Sequence, residues 1–147
     1  MMKIEIVNGG TVAMEIAKNV SRHVAEMDDK DDYGAPNVDW LYYLQACDAG
    51  LCNVVTMRDG EKLVGYAIIM ISNNPRHKDR NEAFCDGLFV EKEYRGKWAV
   101  KLLQKMKEYA KDLNAELNFL VGDEKVGRLL ALNGFKKSKT LWSLKNE

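Results

Sequence analysis

The stretch EAFCDGLFVEKEYRGKWAVKLLQKMKEY, residues 82–109, decides the fold. Aromatic, β-branched and aliphatic residues concentrate over 83–90, as a strand requires. Glu91-Lys92-Glu93-Tyr94-Arg95-Gly96-Lys97 then makes a tight, charged turn. Beyond it, Ala99, Leu102, Leu103, Met106 and Ala110 recur at spacings of three and four, the period of an amphipathic helix. A strand feeding a helix through a short loop aims unpaired backbone N–H groups above the sheet. With the positive end of the helix dipole they suit a phosphate. Arg95 and Lys97 bring cationic side chains to the same place.

Upstream, residues 3–7 alternate as a first strand, and Asn8-Gly9-Gly10 turns into a helix over 12–27. Its stripe is Val12, Ile16, Val20 and Val24, joined by Ala13 and Ala17, and His23 reads as a surface or packing residue. An acidic connection, 26–32, leads to a second helix capped by Asn37 or Asp39 and stopped near Gly50. Trp40, Tyr42 and Tyr43 on that helix read as core or lid packing, with Tyr42 alternatively facing an acceptor cleft. Strands follow at 52–57 and 62–72, joined by the hairpin signal Arg58-Asp59-Gly60-Glu61. Residues 73–81 read as a polar loop. Downstream of the opening helix come a strand over 116–121, paired in parallel through that helix, a short helix over 123–132 and a final strand over 135–145. Meandering strands first and a crossover second describe an α+β mixed sheet in a single domain, 1–147.

Composition narrows the function. The 22 basic and 22 acidic residues cancel, which argues against a general nucleic-acid binder. No apolar run is long enough to span a membrane, and the opening residues lack the apolar core of a signal peptide. The three cysteines, Cys47, Cys52 and Cys85, are odd in number and lack metal-ligand spacing, so no metal site is expected. Reduced thiols and a cytoplasmic location are the simplest reading.

The element order and four local matches resemble the GNAT superfamily of acyl-CoA-dependent N-acyltransferases, in particular its short phage-borne and bacterial members. Lys62-Leu63-Val64-Gly65-Tyr66 is similar to the opening of the family's third strand. Leu88-Phe89-Val90-Glu91-Lys92-Glu93-Tyr94-Arg95-Gly96-Lys97 is similar to the run into the cofactor helix, where Leu102-Leu103 supplies the usual aliphatic pair. Leu129-Leu130-Ala131-Leu132-Asn133-Gly134-Phe135 is similar to the family's C-terminal motif. The resemblance implies a mostly antiparallel sheet with helices on both faces and a splay between the fourth and fifth strands. It implies transfer of an acetyl group from acetyl-CoA to an amine. The donor would be held by Phe89, Val90, Arg95, Gly96, Lys97, Trp98, Ala99 and Val100. It also admits a homodimer. The departures are specific: Trp98 and Val100 stand at two glycine positions of the pyrophosphate loop, Asp123 replaces an asparagine, and Leu130 replaces a frequent tyrosine that protonates the leaving thiolate. They support an alternative, a catalytically inactive GNAT-fold binding or structural protein.

A general base must reach the acceptor amine directly or through one water. Asp86, on the fourth strand, is the leading candidate, and burial beside Phe84 and Leu88 would raise its pKa toward neutral. His77 is an alternative in the polar loop, and Glu82 a weaker one. Tyr94, Tyr109 or water are left for the leaving group. Cys85 alternates with Asp86 and faces away from it as a buried small residue. The acidic connection, bordering the acceptor region in such folds, suits a cationic amine on a small molecule or protein, or serves as a solvated loop.

Overall fold

The computed structural model describes residues 1–26, 37–122 and 124–144 of the chain. The expectations placed on the acidic connection beyond Glu26 and on Asp123 lie outside the described residues. Five strands, β1 Met2–Asn8, β2 Cys52–Asp59, β3 Lys62–Asn74, β4 His77–Val90 and β5 Ala115–Phe119, form one sheet in the order β1-β2-β3-β4-β5. The first three pairings are antiparallel and β4 runs parallel to β5. Four helices complete the described fold: α1 Ala13–Glu26, α2 Trp40–Asp48, α3 Lys97–Asp112 and α4 Glu124–Leu132. None of the described helices is long and apolar enough to cross a membrane.

The sheet is covered on both faces because its strands carry apolar residues on both. On one face Leu102, Leu103 and Met106 of α3, with Leu130 of α4, bury against Val55, Met57, Val64, Ala67 and Ile69. Each large side chain so buried contributes about 1.5–3 kcal/mol. On the other face Val12 and Ile16 reach Val54, Tyr66 and Phe89.

One irregularity shapes everything that follows. In the β3–β4 register Ile68 faces Gly87 and Ile69 faces Cys85, so Asp86 is an extra residue, a β-bulge. A bulge reverses the alternation of a strand and re-aims its side chains. Ala83 and Cys85 pack toward α3, and so does Val90, while Phe89 joins the α1 face. The same bulge marks the splay. β4 pairs with β5 only over Asn81–Cys85, and from Gly87 to Val90 no described strand lies on that side.

Two expectations are corrected. Residues 73–81 are not a loop: β3 and β4 continue through them to a turn at Pro75-Arg76, with Asn74 paired to His77. Proline favours that turn, the Asn74 side chain accepts from the Arg76 N–H at 3.0 Å, and Asn74 Nδ2 donates to Glu82 at 3.1 Å. These polar side chains pair along an exposed ribbon that gives no hydrophobic signal. Conversely, the final strand is absent from the described residues 135–144. Phe135 packs edge-on against Phe119, but Leu141, Trp142 and Leu144 are 67%, 90% and 92% exposed. The intervening Lys136-Lys137-Ser138-Lys139-Thr140 holds no apolar residue to fix a register against β5.

Candidate active site

The splay opens a cavity of about 760 Å³ that passes between the two covered faces. That volume suits a small-molecule site. At one end it is bordered by Phe89 and Val90 of β4, by Arg95, Gly96 and Ala99 at the start of α3, and by Val126 and Leu129 of α4. At the other it meets Ile16, Val20 and His23 of α1, Trp40 and Tyr43 of α2, Tyr66 of β3 and the bulged Asp86.

The α3 end is built from backbone. A short 3-10 turn, Lys92–Tyr94, follows β4, and Gly96 then enters the helix at φ +89°. A side chain rarely adopts that conformation, although the space around Gly96 is open. Helical hydrogen bonding starts with the Val100 N–H donating to Gly96 O at 3.0 Å. The N–H groups of Lys97, Trp98 and Ala99 precede it, and Gly96 has no side chain to cap them. Arg95 Nε donates to Val90 O at 2.8 Å, which ties the arginine across the turn. Lys97, Trp98 and Val100 do not line the cavity. The indole of Trp98 packs at the edge of the α3 core, with the ammonium groups of Lys97 and Lys101 5.3 and 4.7 Å from its ring centre. The splay is therefore not plugged by Trp98.

The α1–α2 end is built from side chains. Asp86 was expected to be buried; it is exposed, because the bulge turns it out to the cavity rim away from Cys85. Tyr43 Oη donates to Asp86 Oδ2 at 2.6 Å, and burial, then this hydrogen bond, pushes the Tyr43 phenol above its ordinary range. His77 begins β4 beside the hairpin turn, exposed and away from the cavity, and Glu82 is likewise outside it. Tyr94 donates to Asp59 at 2.7 Å and Tyr109 accepts from Asn53 at 2.9 Å, and neither lines the cavity. Burial pushes the Cys85 thiol up to about 12, which removes it as a thiolate nucleophile. Cys52 is also pushed up to about 12, by burial and then by its contact with Cys47. Leu130 is buried in the core and offers no proton.

Sequence reasoning gave His23, Tyr66 and Tyr43 no chemical role. Tyr66 is buried, and that burial lifts its phenol to about 12. His23 is only 5% exposed and stands on the cavity wall. The signal was present: His23 follows Ile16 and Val20 at helical spacing, which puts it on the buried stripe of α1.

The sequence model of the acetyltransferase (GNAT) family matches residues 21–135. No curated protein matches the chain in sequence. Among solved structures, an aminoglycoside acetyltransferase from an uncultured soil metagenomic sample superposes with a TM-score of 0.74 at 15% identity, over 100% of this chain and 99% of that one. A ribosomal-protein-alanine N-acetyltransferase from Brucella melitensis gives 0.70 at 16%, over 99% of both chains. A predicted acetyltransferase with acetyl-CoA from Clostridium acetobutylicum gives 0.74 at 17%, over 99% and 96%. At these identities the likeness is one of fold.

Proposed function

The chain belongs to the acetyltransferase (GNAT) family, and from that premise we propose that it transfers an acetyl group from acetyl-CoA to an amine. The observation that carries this reading is the single cavity through the splay, with uncapped backbone N–H groups and Arg95 at one end and the Asp86–Tyr43 pair at the other. The pyrophosphate of the donor fits the first turn of α3, where Lys97, Trp98 and Ala99 offer N–H groups and Arg95 and Lys97 offer charge. Pantetheine amides fit the backbone of Phe89 and Val90, where β4 has left β5. N–H groups around Val90 polarise the thioester carbonyl. Asp86, as an exposed carboxylate at the rim, attracts a cationic amine and accepts its proton directly or through water. Three cysteines, all free, suit a reducing, cytoplasmic setting.

Leu130 favours a second reading, an acyl-CoA binder without transfer, since α4 supplies no hydroxyl there. Thermal melting with millimolar acetyl-CoA, CoA or buffer, followed by thiol release on a panel of amines, separates the two. A rise in Tm with amine-dependent thiol release is the expected result. No rise with either nucleotide overturns both readings, and a rise without thiol release leaves the binder.

A further inference from the structure

We infer that the acceptor is a primary monoamine with an apolar body, an alkylamine or arylalkylamine, seated between α1 and α2; this rests on the transfer reading above. With the donor at the α3 end, the acceptor is left the other end, with its reacting nitrogen in reach of Asp86. The walls there are apolar. Ile16 and Val20 line the cavity one turn apart on α1, and Trp40 and Leu44 one turn apart on α2. Each pair spans about 6 Å along its helix. Ile68 of β3 adds a further apolar side chain to the lining.

Negative charge is scarce. Asp86 is the one carboxylate among the described residues that line the cavity. Tyr43 Oη donates to its Oδ2 at 2.6 Å, which orients the carboxylate and leaves its second oxygen to accept from one ammonium. Other polar groups on these walls meet one another: His23 bonds Tyr66, and Cys52 contacts Cys47. Burial pushes the Tyr66 phenol and the Cys52 thiol up to about 12, so neither supplies a second anion. The remaining charged side chains of the lining, Arg95 and Lys125, are cationic.

One ammonium is therefore provided for and a second is not. A second cation carried between α1 and α2 would leave water with no carboxylate to meet it, which is unfavourable. An apolar body in the same place gains by leaving water. A polyamine or an aminosugar, with charge spread along the molecule, fits these walls poorly.

The test is kcat/KM for thiol release, at one pH and saturating acetyl-CoA, on propylamine, butylamine, pentylamine, hexylamine, 1,6-diaminohexane and kanamycin. The four alkylamines are nearly equal in basicity, so their series reads burial. Each added methylene is expected to raise kcat/KM about fourfold, the equivalent of ~0.8 kcal/mol. Hexylamine is expected to exceed 1,6-diaminohexane by about tenfold or more, although the diamine has two reactive ends. Leu44 lines the cavity yet is 43% exposed, so Leu44→Glu adds a carboxylate to that wall without burying it. Leu44→Glu is expected to reverse the order of hexylamine and the diamine. Leu41→Glu, on α2 but off the cavity, is expected to keep the wild-type order. A flat alkylamine series, a diamine equal to hexylamine, or kanamycin preferred to both overturns the proposal while transfer itself stands. Should Leu44→Glu fail to fold, the wild-type pair decides alone. A wild type whose Tm rises with acetyl-CoA but which releases no thiol on any of these amines overturns the transfer reading, and this inference with it.

Discussion

The two ends of the cavity are made by different means. The α3 end is local: Val90, Arg95, Gly96 and Ala99 lie within one strand-turn-helix, and its proposed donor contacts are mainly backbone. The other end is assembled from four elements, with His23 on α1, Tyr43 on α2, Tyr66 on β3 and Asp86 on the bulge of β4. A backbone-built site tolerates side-chain replacement, which is why Trp98 and Val100 stand in the loop without obstructing the opening. A site made of converging side chains has no such tolerance, since each hydrogen bond depends on one atom.

That contrast sets the order of the expected effects. The largest falls on the side-chain end. Asp86→Asn is expected to lower kcat about 10-fold to 10²-fold with little change in acetyl-CoA affinity, read by steady-state thiol release. A kcat within a factor of two would remove Asp86 from the reaction. The donor end should respond in binding. Arg95→Ala loses a charged donor and is expected to weaken acetyl-CoA by about tenfold in calorimetry, since such bonds contribute about 1.5–3 kcal/mol. Trp98→Ala, which empties a site off the cavity, is expected to change that affinity about twofold at most, less than a single ordinary hydrogen bond. Equal losses for the two would mean that the indole contacts the ligand and that the donor end is not built mainly from backbone.

The smallest effect is on stability. Glu91 and Glu15 are held below the usual carboxylate range, first by the hydrogen bonds from Arg22 and Arg58 respectively. Each therefore takes up protons less readily in the folded chain than in the unfolded one. Their contribution is present above the unfolded pKa of about 4.3 and is lost as pH falls through the lower, folded value. Glu91→Gln removes that sensitivity. Its melting temperature should fall less between pH 6 and pH 3 than that of the wild type, by about 1–2 °C. An identical fall would show that the Arg22–Glu91 pair contributes nothing measurable.

Legibility followed the same division. The α3 end could be read because everything it needs is contiguous: an apolar strand, an arginine, a glycine that must hold φ +89° and a periodic helix. Asp86 was legible as a residue but not as an environment. Alternation along 83–90 predicts one burial pattern, and the bulge supplies another. His77 looked catalytic by residue type alone, and the long β3–β4 ribbon carries it away from the cavity. His23 looked ordinary because its partners, Tyr66 and Phe89, lie 43 and 66 positions along the chain.

The sequence by itself determined the α+β class, the family and the strand-turn-helix that ends in the uncapped N-terminus of α3. These depend on short-range periodicity and turn chemistry, which neighbouring residues settle among themselves. Only the tertiary structure decided that the splay is open, that Trp98 lies off it and that a histidine and a tyrosine meet on its wall. Those outcomes depend on strand register, where one extra residue at Asp86 re-aims the side chains around it, and no local pattern records that shift.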